Sequence, residues 1–129
     1  MRTPATNDKA VGPILRKWIQ TYSEPLNIVE SPSVGTLAVS EATGELIDET
    51  LETMLQMSLI RKSTRVRVSC VDDHMGHLVL TVVDDAPWYD VTGQFSLATC
   101  GELAHRLGGT ISSELEDAQF TVRLVVPLS

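Results

Sequence analysis

Residues 40–62, SEATGELIDETLETMLQMSLIRK, constrain the fold more than any other stretch, because they make a long helix with two unlike faces. Leu46, Ile47, Leu51, Met54, Leu55 and Ser58 or Leu59 fall on one side at helical spacing. Glu45, Glu49, Glu52 and Gln56 recur at four, three and four residues on the other. Carboxylates stacked in this way repel by roughly a few tenths of a kcal/mol per pair, so that stripe must face water, cations or a ligand. Ser40 is the expected N-cap, acidic residues crowd the first half and basic ones close the end, as the helix dipole favours. A helix with one apolar face needs an apolar partner layer, and the chain supplies one at once. TRVRVSCV alternates Val66, Val68 and Cys70 against Arg65, Arg67 and Ser69, giving a strand with one wet face. HLVLTVVD is more uniformly apolar and reads as the central strand, joined to the first by the turn DDHMG.

The other elements fit around this core. Residues 1–8, MRTPATND, read as a loose terminus, and residues 9–129 as a single domain. KAVGPILRKWIQTYS carries Val11, Ile14, Leu15, Trp18, Ile19 and Tyr22 on one helical stripe, with Gly12-Pro13 delaying its first turn and Pro25 ending it. LNIVE and GTLAVS read as short strands around the turn signal SPSVG. FSLATCGELAHRLGG reads as a third helix stopped by Gly108-Gly109. TISSELE and QFTVRLVVPL read as a hairpin turning at EDA, with Pro127 blunting the last edge. This order predicts an α/β (α+β) two-layer sandwich, with helices on one face of a mixed, mostly antiparallel sheet.

Composition excludes several classes of function. With 129 residues, 43% hydrophobic and 21% charged, the chain is an ordinary globular domain by content. A net charge of −7 argues against a nucleic-acid surface, which needs clustered Lys and Arg. The basic cluster of Arg61, Lys62, Arg65 and Arg67 reads as a solvated helix end or a partner-docking patch. No apolar run approaches the ~18 residues of a membrane span, and no secretory leader pattern opens the chain, so a cytoplasmic location is expected. Cys70 and Cys100 lack CxxC spacing and are expected as free, buried or half-buried thiols. No metal-ligand spacing links His74, His77 and His105, which read as surface or packing residues.

The joint order of elements, with SLATCGELAHRLGGTISSE near the end, resembles the catalytic and ATP-binding domain of sensor histidine kinases, a branch of the Bergerat-fold (GHKL) ATPases that includes gyrase and MutL. The likeness runs from about Ile14 to Leu128. In that family the acidic-faced helix holds a Glu that assists proton transfer and, four residues on, an Asn that coordinates Mg²⁺. Glu52 and Gln56 fall on these positions, and Gln carries its amide oxygen one methylene further out than Asn. VVDDAPWYD aligns with the family's D-x-G-x-G turn, which places Asp84 on the carboxylate that reads the adenine amino group.

The glycines of that turn are gone. Ala86 and Trp88 replace them, and neither has the backbone freedom that lets glycine pass close to a ligand. Trp88 and Tyr89 would fill the pocket, stack on a base or form a plain surface turn. Only APWYDVTGQFS separates Asp85 from Leu97, so there is no long lid; Gly93 is its single glycine, and Gln94 and Ser96 stand where the family's phosphate-wrapping glycines are expected. Residues 1–24 contain no His, so they are not expected to supply a phospho-accepting helix. The resemblance therefore implies a degenerate member, with ATP or ADP and Mg²⁺ bound weakly or not at all. It would act in two-component-type signalling through a phosphorelay partner or a homodimer. The alternatives are a working ATP-binding catalytic domain phosphorylating a partner in trans, and an anti-sigma-factor-like switch kinase.

Overall fold

The computed structural model describes residues 9–22, 28–30, 38–60, 63–85, 100–117 and 119–128. The elements are β1 (Lys9–Ala10), α1 (Val11–Tyr22), β2 (Ile28–Glu30), β3 (Ala38–Val39), α2 (Glu41–Ile60), β4 (Val66–Asp72) and β5 (His77–Asp84). A helix whose described part is 100–106, here α3, precedes β6 (Thr110–Glu116) and β7 (Gln119–Pro127).

Ser40 caps α2 as its sequence predicts: the Thr43 backbone N–H donates to the Ser40 hydroxyl oxygen at 3.2 Å, and the Gly44 N–H donates to the Ser40 carbonyl at 2.8 Å. Leu46, Ile47, Leu51, Met54 and Leu55 are all buried, so one face of α2 is spent on the core. Each such side chain contributes roughly 1.5–3 kcal/mol by leaving water. α2 is described as far as Ile60; Arg61 and Lys62, the basic residues expected to close it, lie outside the described residues.

The core lies between these helices and one face of a five-stranded sheet ordered β2-β4-β5-β7-β6. All neighbours are antiparallel except β2 and β4, which run parallel. β5 is the central strand, in agreement with its apolar content. Period-two alternation turns Val66, Val68 and Cys70 of β4, Leu78, Leu80 and Val82 of β5, and Phe120, Val122, Leu124 and Val126 of β7 toward the helices. On the opposite face Arg67, Val71 and Arg123 are exposed. Burial pushes the Cys70 thiol up to about 12, and Cys70 and Cys100 are both free and buried, as expected.

Two expectations need correction. The first helix starts at Val11 rather than Lys9, because Lys9 and Ala10 pair antiparallel with Val39 and Ala38. That short pairing brings the starts of α1 and α2 together. Pro127 does not blunt an edge: β7 lies between β5 and β6, and Pro127 pairs with His77 at the strand's last residue. The β6–β7 pairing stops at Thr110 and Val125 and the Leu128 N–H donates toward the β5 side, to Gly76 O, so the missing N–H of Pro127 falls past the end of the β6 ladder.

Gly108 and Gly109 stop α3 as predicted. Gly108 has φ of 79°, its N–H donates to His105 O at 3.0 Å, and the Gly109 N–H donates to Ala104 O at 2.8 Å, which is a Schellman closure.

Candidate functional site

The alternation along β5 that buries Leu78, Leu80 and Val82 also turns the next residue in phase, Asp84, toward the helices. Asp84 is only 3% exposed and stands level with Val66 and Phe120 on the flanking strands. A carboxylate in an apolar row needs donors, and α2 provides one: the Ser58 hydroxyl donates to Asp84 Oδ2 at 2.7 Å. The next residue points the other way and has a different task. Asp85 Oδ1 accepts the backbone N–H groups of Thr64 at 2.8 Å and Arg65 at 3.0 Å, while Oδ2 accepts the Thr64 hydroxyl. Asp85 thus ties the end of β5 to the start of β4. The Thr64 hydroxyl bond is the main cause that holds the Asp85 carboxyl below its ordinary range; burial pulls upward and the N–H groups of Arg65 and Thr64 add to the lowering.

Of the other residues expected at the site, Glu52 is half-buried and Gln56 is exposed on α2. Gln56 and Ser58 are two residues apart, which on an α-helix is about 200° of rotation. The structure therefore does not bring Gln56 together with Asp84; it brings Ser58 there. Ala86, Trp88, Tyr89, Gly93, Gln94 and Ser96 lie outside the described residues. Ser58 was legible in principle as a hydroxyl at a core position of an apolar stripe, and Asp84 as a carboxylate on the inward phase of a strand. The only sign of Asp85 as a structural tie was its position beside Asp84.

The other joint between α2 and its neighbours lies against α3, where Cys100 Sγ is 3.8 Å from Thr53 Oγ1. α2 is thus sandwiched, with α3 on one flank and α1 on another. The α1 contact is polar: Asp48 accepts the Trp18 indole N–H and a 2.8 Å ion pair from Lys17 Nζ, which also lies 4.5 Å from the centre of the Trp18 ring. Trp18 and Tyr22 of α1 are half-buried and pack against the core.

No family model and no curated protein matches the chain. Solved structures do. The catalytic domain of histidine kinase ThkA, in a nucleotide-free form, superposes with a TM-score of 0.78 at 14% identity, covering 94% of this chain and 94% of that one. The chain has the histidine kinase catalytic-domain fold. Histidine kinase AdeS of Acinetobacter baumannii superposes with a TM-score of 0.76 at 11% identity, over 95% of this chain and 66% of its own. The histidine kinase domain of a blue-light activated kinase from Erythrobacter litoralis gives 0.68 at 14% identity, over 98% of this chain and 66% of its own. Within this fold Asp84 stands at the end of the central strand and α2 is the helix that covers it. Among the described residues no helix is long and apolar enough to cross a membrane, and no cluster of three or more His, Cys, Asp or Glu could hold a metal ion.

Proposed function

We propose that this chain is a degenerate histidine-kinase-like ATP-binding domain that works in two-component-type signalling mainly through protein–protein contacts, with nucleotide binding weak or lost. Its place would be the cytoplasm, beside a phosphorelay partner or a second copy of itself. The observation that supports this most is the state of Asp84. The carboxylate in the adenine-reading position is 3% exposed and accepts the Ser58 hydroxyl through Oδ2, so it would offer a base only the acceptor capacity that this bond leaves. The sequence adds that Ala86 and Trp88 occupy the glycine positions beside it, where backbone must approach a ligand closely. Mg²⁺ requires a near-octahedral shell of oxygens. Gln56, on the exposed side of α2, would contribute one amide oxygen and leave the rest to phosphate and water. Glu52, four residues earlier, is a vestigial general base in this reading.

Calorimetric titration with ATP and with ADP, each with and without Mg²⁺, tests the proposal. A dissociation constant weaker than ~1 mM is expected, equivalent to less than about 4 kcal/mol of binding. Micromolar affinity would overturn the degenerate reading. Retention of Asp84 at the end of the central strand favours, as the second reading, a working catalytic domain that phosphorylates a partner in trans. The same titration separates the two. An anti-sigma-factor-like switch kinase would likewise bind ATP, and would differ in phosphorylating a serine on its antagonist.

A further inference from the structure

The first half of α2 and the C-terminal half of α3 enclose a groove of about 220 Å³, well away from Asp84. Its α2 wall ends at Glu49, and Ser58, which holds Asp84, lies nine residues further on, about 13 Å along the helix axis at 1.5 Å per residue. The floor is apolar: buried Leu46, half-buried Leu103 and Leu107, and the methyl of Ala42. The lips are charged and opposed. Glu45 and Glu49 stand one turn apart on α2, and Arg106 faces them from α3. All three are exposed, and among the described residues none of them forms an ion pair.

We propose that this groove is a docking site for an amphipathic helix of a partner protein, one that inserts Leu-sized side chains between α2 and α3 and sets Lys or Arg against Glu45 and Glu49. The volume is below the roughly 300–1,000 Å³ of small-molecule and cofactor pockets, which favours side chains of a protein over a free ligand. Two helical walls with an apolar floor are the kind of groove into which an amphipathic helix lays its i, i+3, i+4 and i+7 residues. The charge pattern selects the partner. Two carboxylates at i, i+4 repel each other, a cationic flank on the incoming helix relieves that repulsion, and Arg106 fixes its orientation by pairing with an acidic residue on the opposite flank. The site does not depend on nucleotide, so it stands whether or not ATP binds.

The test uses the intact chain and a helical peptide of about 18 residues, with Leu at i, i+3, i+4 and i+7 spacing and Lys on the flank, against a control with Glu in place of Lys. Fluorescence anisotropy reads affinity, and amide chemical-shift mapping reads location. The Lys peptide should bind and perturb Ala42, Leu46, Leu103 and Leu107, while the Glu peptide should not bind. Glu45→Gln with Glu49→Gln, both at exposed positions, should weaken binding about tenfold, the sum expected of two solvent-facing ion pairs released together. Glu45→Lys with Glu49→Lys should reverse the preference and admit the Glu peptide. Equal binding of both peptides, shifts centred elsewhere, or indifference to the Glu45 and Glu49 changes would overturn the proposal. So would concentration-dependent self-association that protects the groove, because the occupant would then be a second copy of the chain.

Discussion

Asp84 and Asp85 are neighbours in sequence, and the two-residue period of a strand gives them opposite roles: one is buried under α2, the other clasps the start of β4. Loss of each should read differently. Ser58→Ala removes a donor from a buried carboxylate and should cost about 1–3 kcal/mol in urea unfolding at pH 7, the usual penalty for an under-satisfied buried polar group. Asp85→Ala should cost about 1–2 kcal/mol at the same pH, as hydrogen bonds to a charged acceptor do near a surface. The Asp85 contribution must also depend on pH. Its folded pKa is depressed, so the stabilisation is present above the unfolded value of about 4 and is lost as pH falls through the folded value. The gap between Asp85→Ala and the wild type should therefore close in acid. A gap that stayed constant down to acid unfolding would mean that the clasp does not act through the ionised carboxylate.

At the scale of elements, what was legible followed periodicity and punctuation. The α2 boundaries came from Ser40 and the change to strand alternation, and the α3 stop came from Gly108-Gly109. The β1–β3 pair was not legible, because two-residue strands carry no period and are defined only by the partner they meet. The place of β7 inside the sheet was hidden for a related reason: pairing order is a long-range property, and Pro127 reads the same at a strand end as on an edge. At the site, the turn of the helix puts Ser58 on the side that meets Asp84, a contact that counting along the motif to Gln56 does not reveal. The α3 stop offers a sharp test. A Cβ built on Gly109 would stand 2.4 Å from Val125 O and 2.7 Å from Val126 Cγ1, so β7 would have to move. Gly109→Ala should destabilise the domain by about 1–3 kcal/mol, as overpacking does. Gly101→Ala, where an added Cβ meets nothing within 4 Å, should be near neutral or stabilising in a helix. Equal effects from the two would refute the packing explanation.

For the whole molecule, the question is how α1 is held and whether its aromatics are available to a partner. Asp48 on α2 is the hub. Burial pushes its carboxyl up, but the hydrogen bonds from Lys17 and Trp18, with the Lys17 charge, outweigh this and leave it below the ordinary range. Trp18 is thus committed three times over: its N–H to Asp48, a ring face to Lys17, and its ring beside that of Tyr22, tilted by 37° at a centroid distance of 6.4 Å. An anchor residue that dominates a protein interface is exposed before the partner arrives, whereas Trp18 is half-buried and internally bonded. Trp18→Ala should therefore act on stability, lowering it by about 2 kcal/mol, less than the 3–5 of a fully buried aromatic because part of the ring already meets water. Asp48→Asn, which removes the ion pair but keeps a carbonyl acceptor for the indole, should cost less than Trp18→Ala. Thermal unfolding and sedimentation of the two variants decide the matter. Reduced stability with unchanged assembly places Trp18 in the fold and leaves the α2–α3 groove as the partner surface. Weakened assembly with unchanged stability would place the interface on α1 instead.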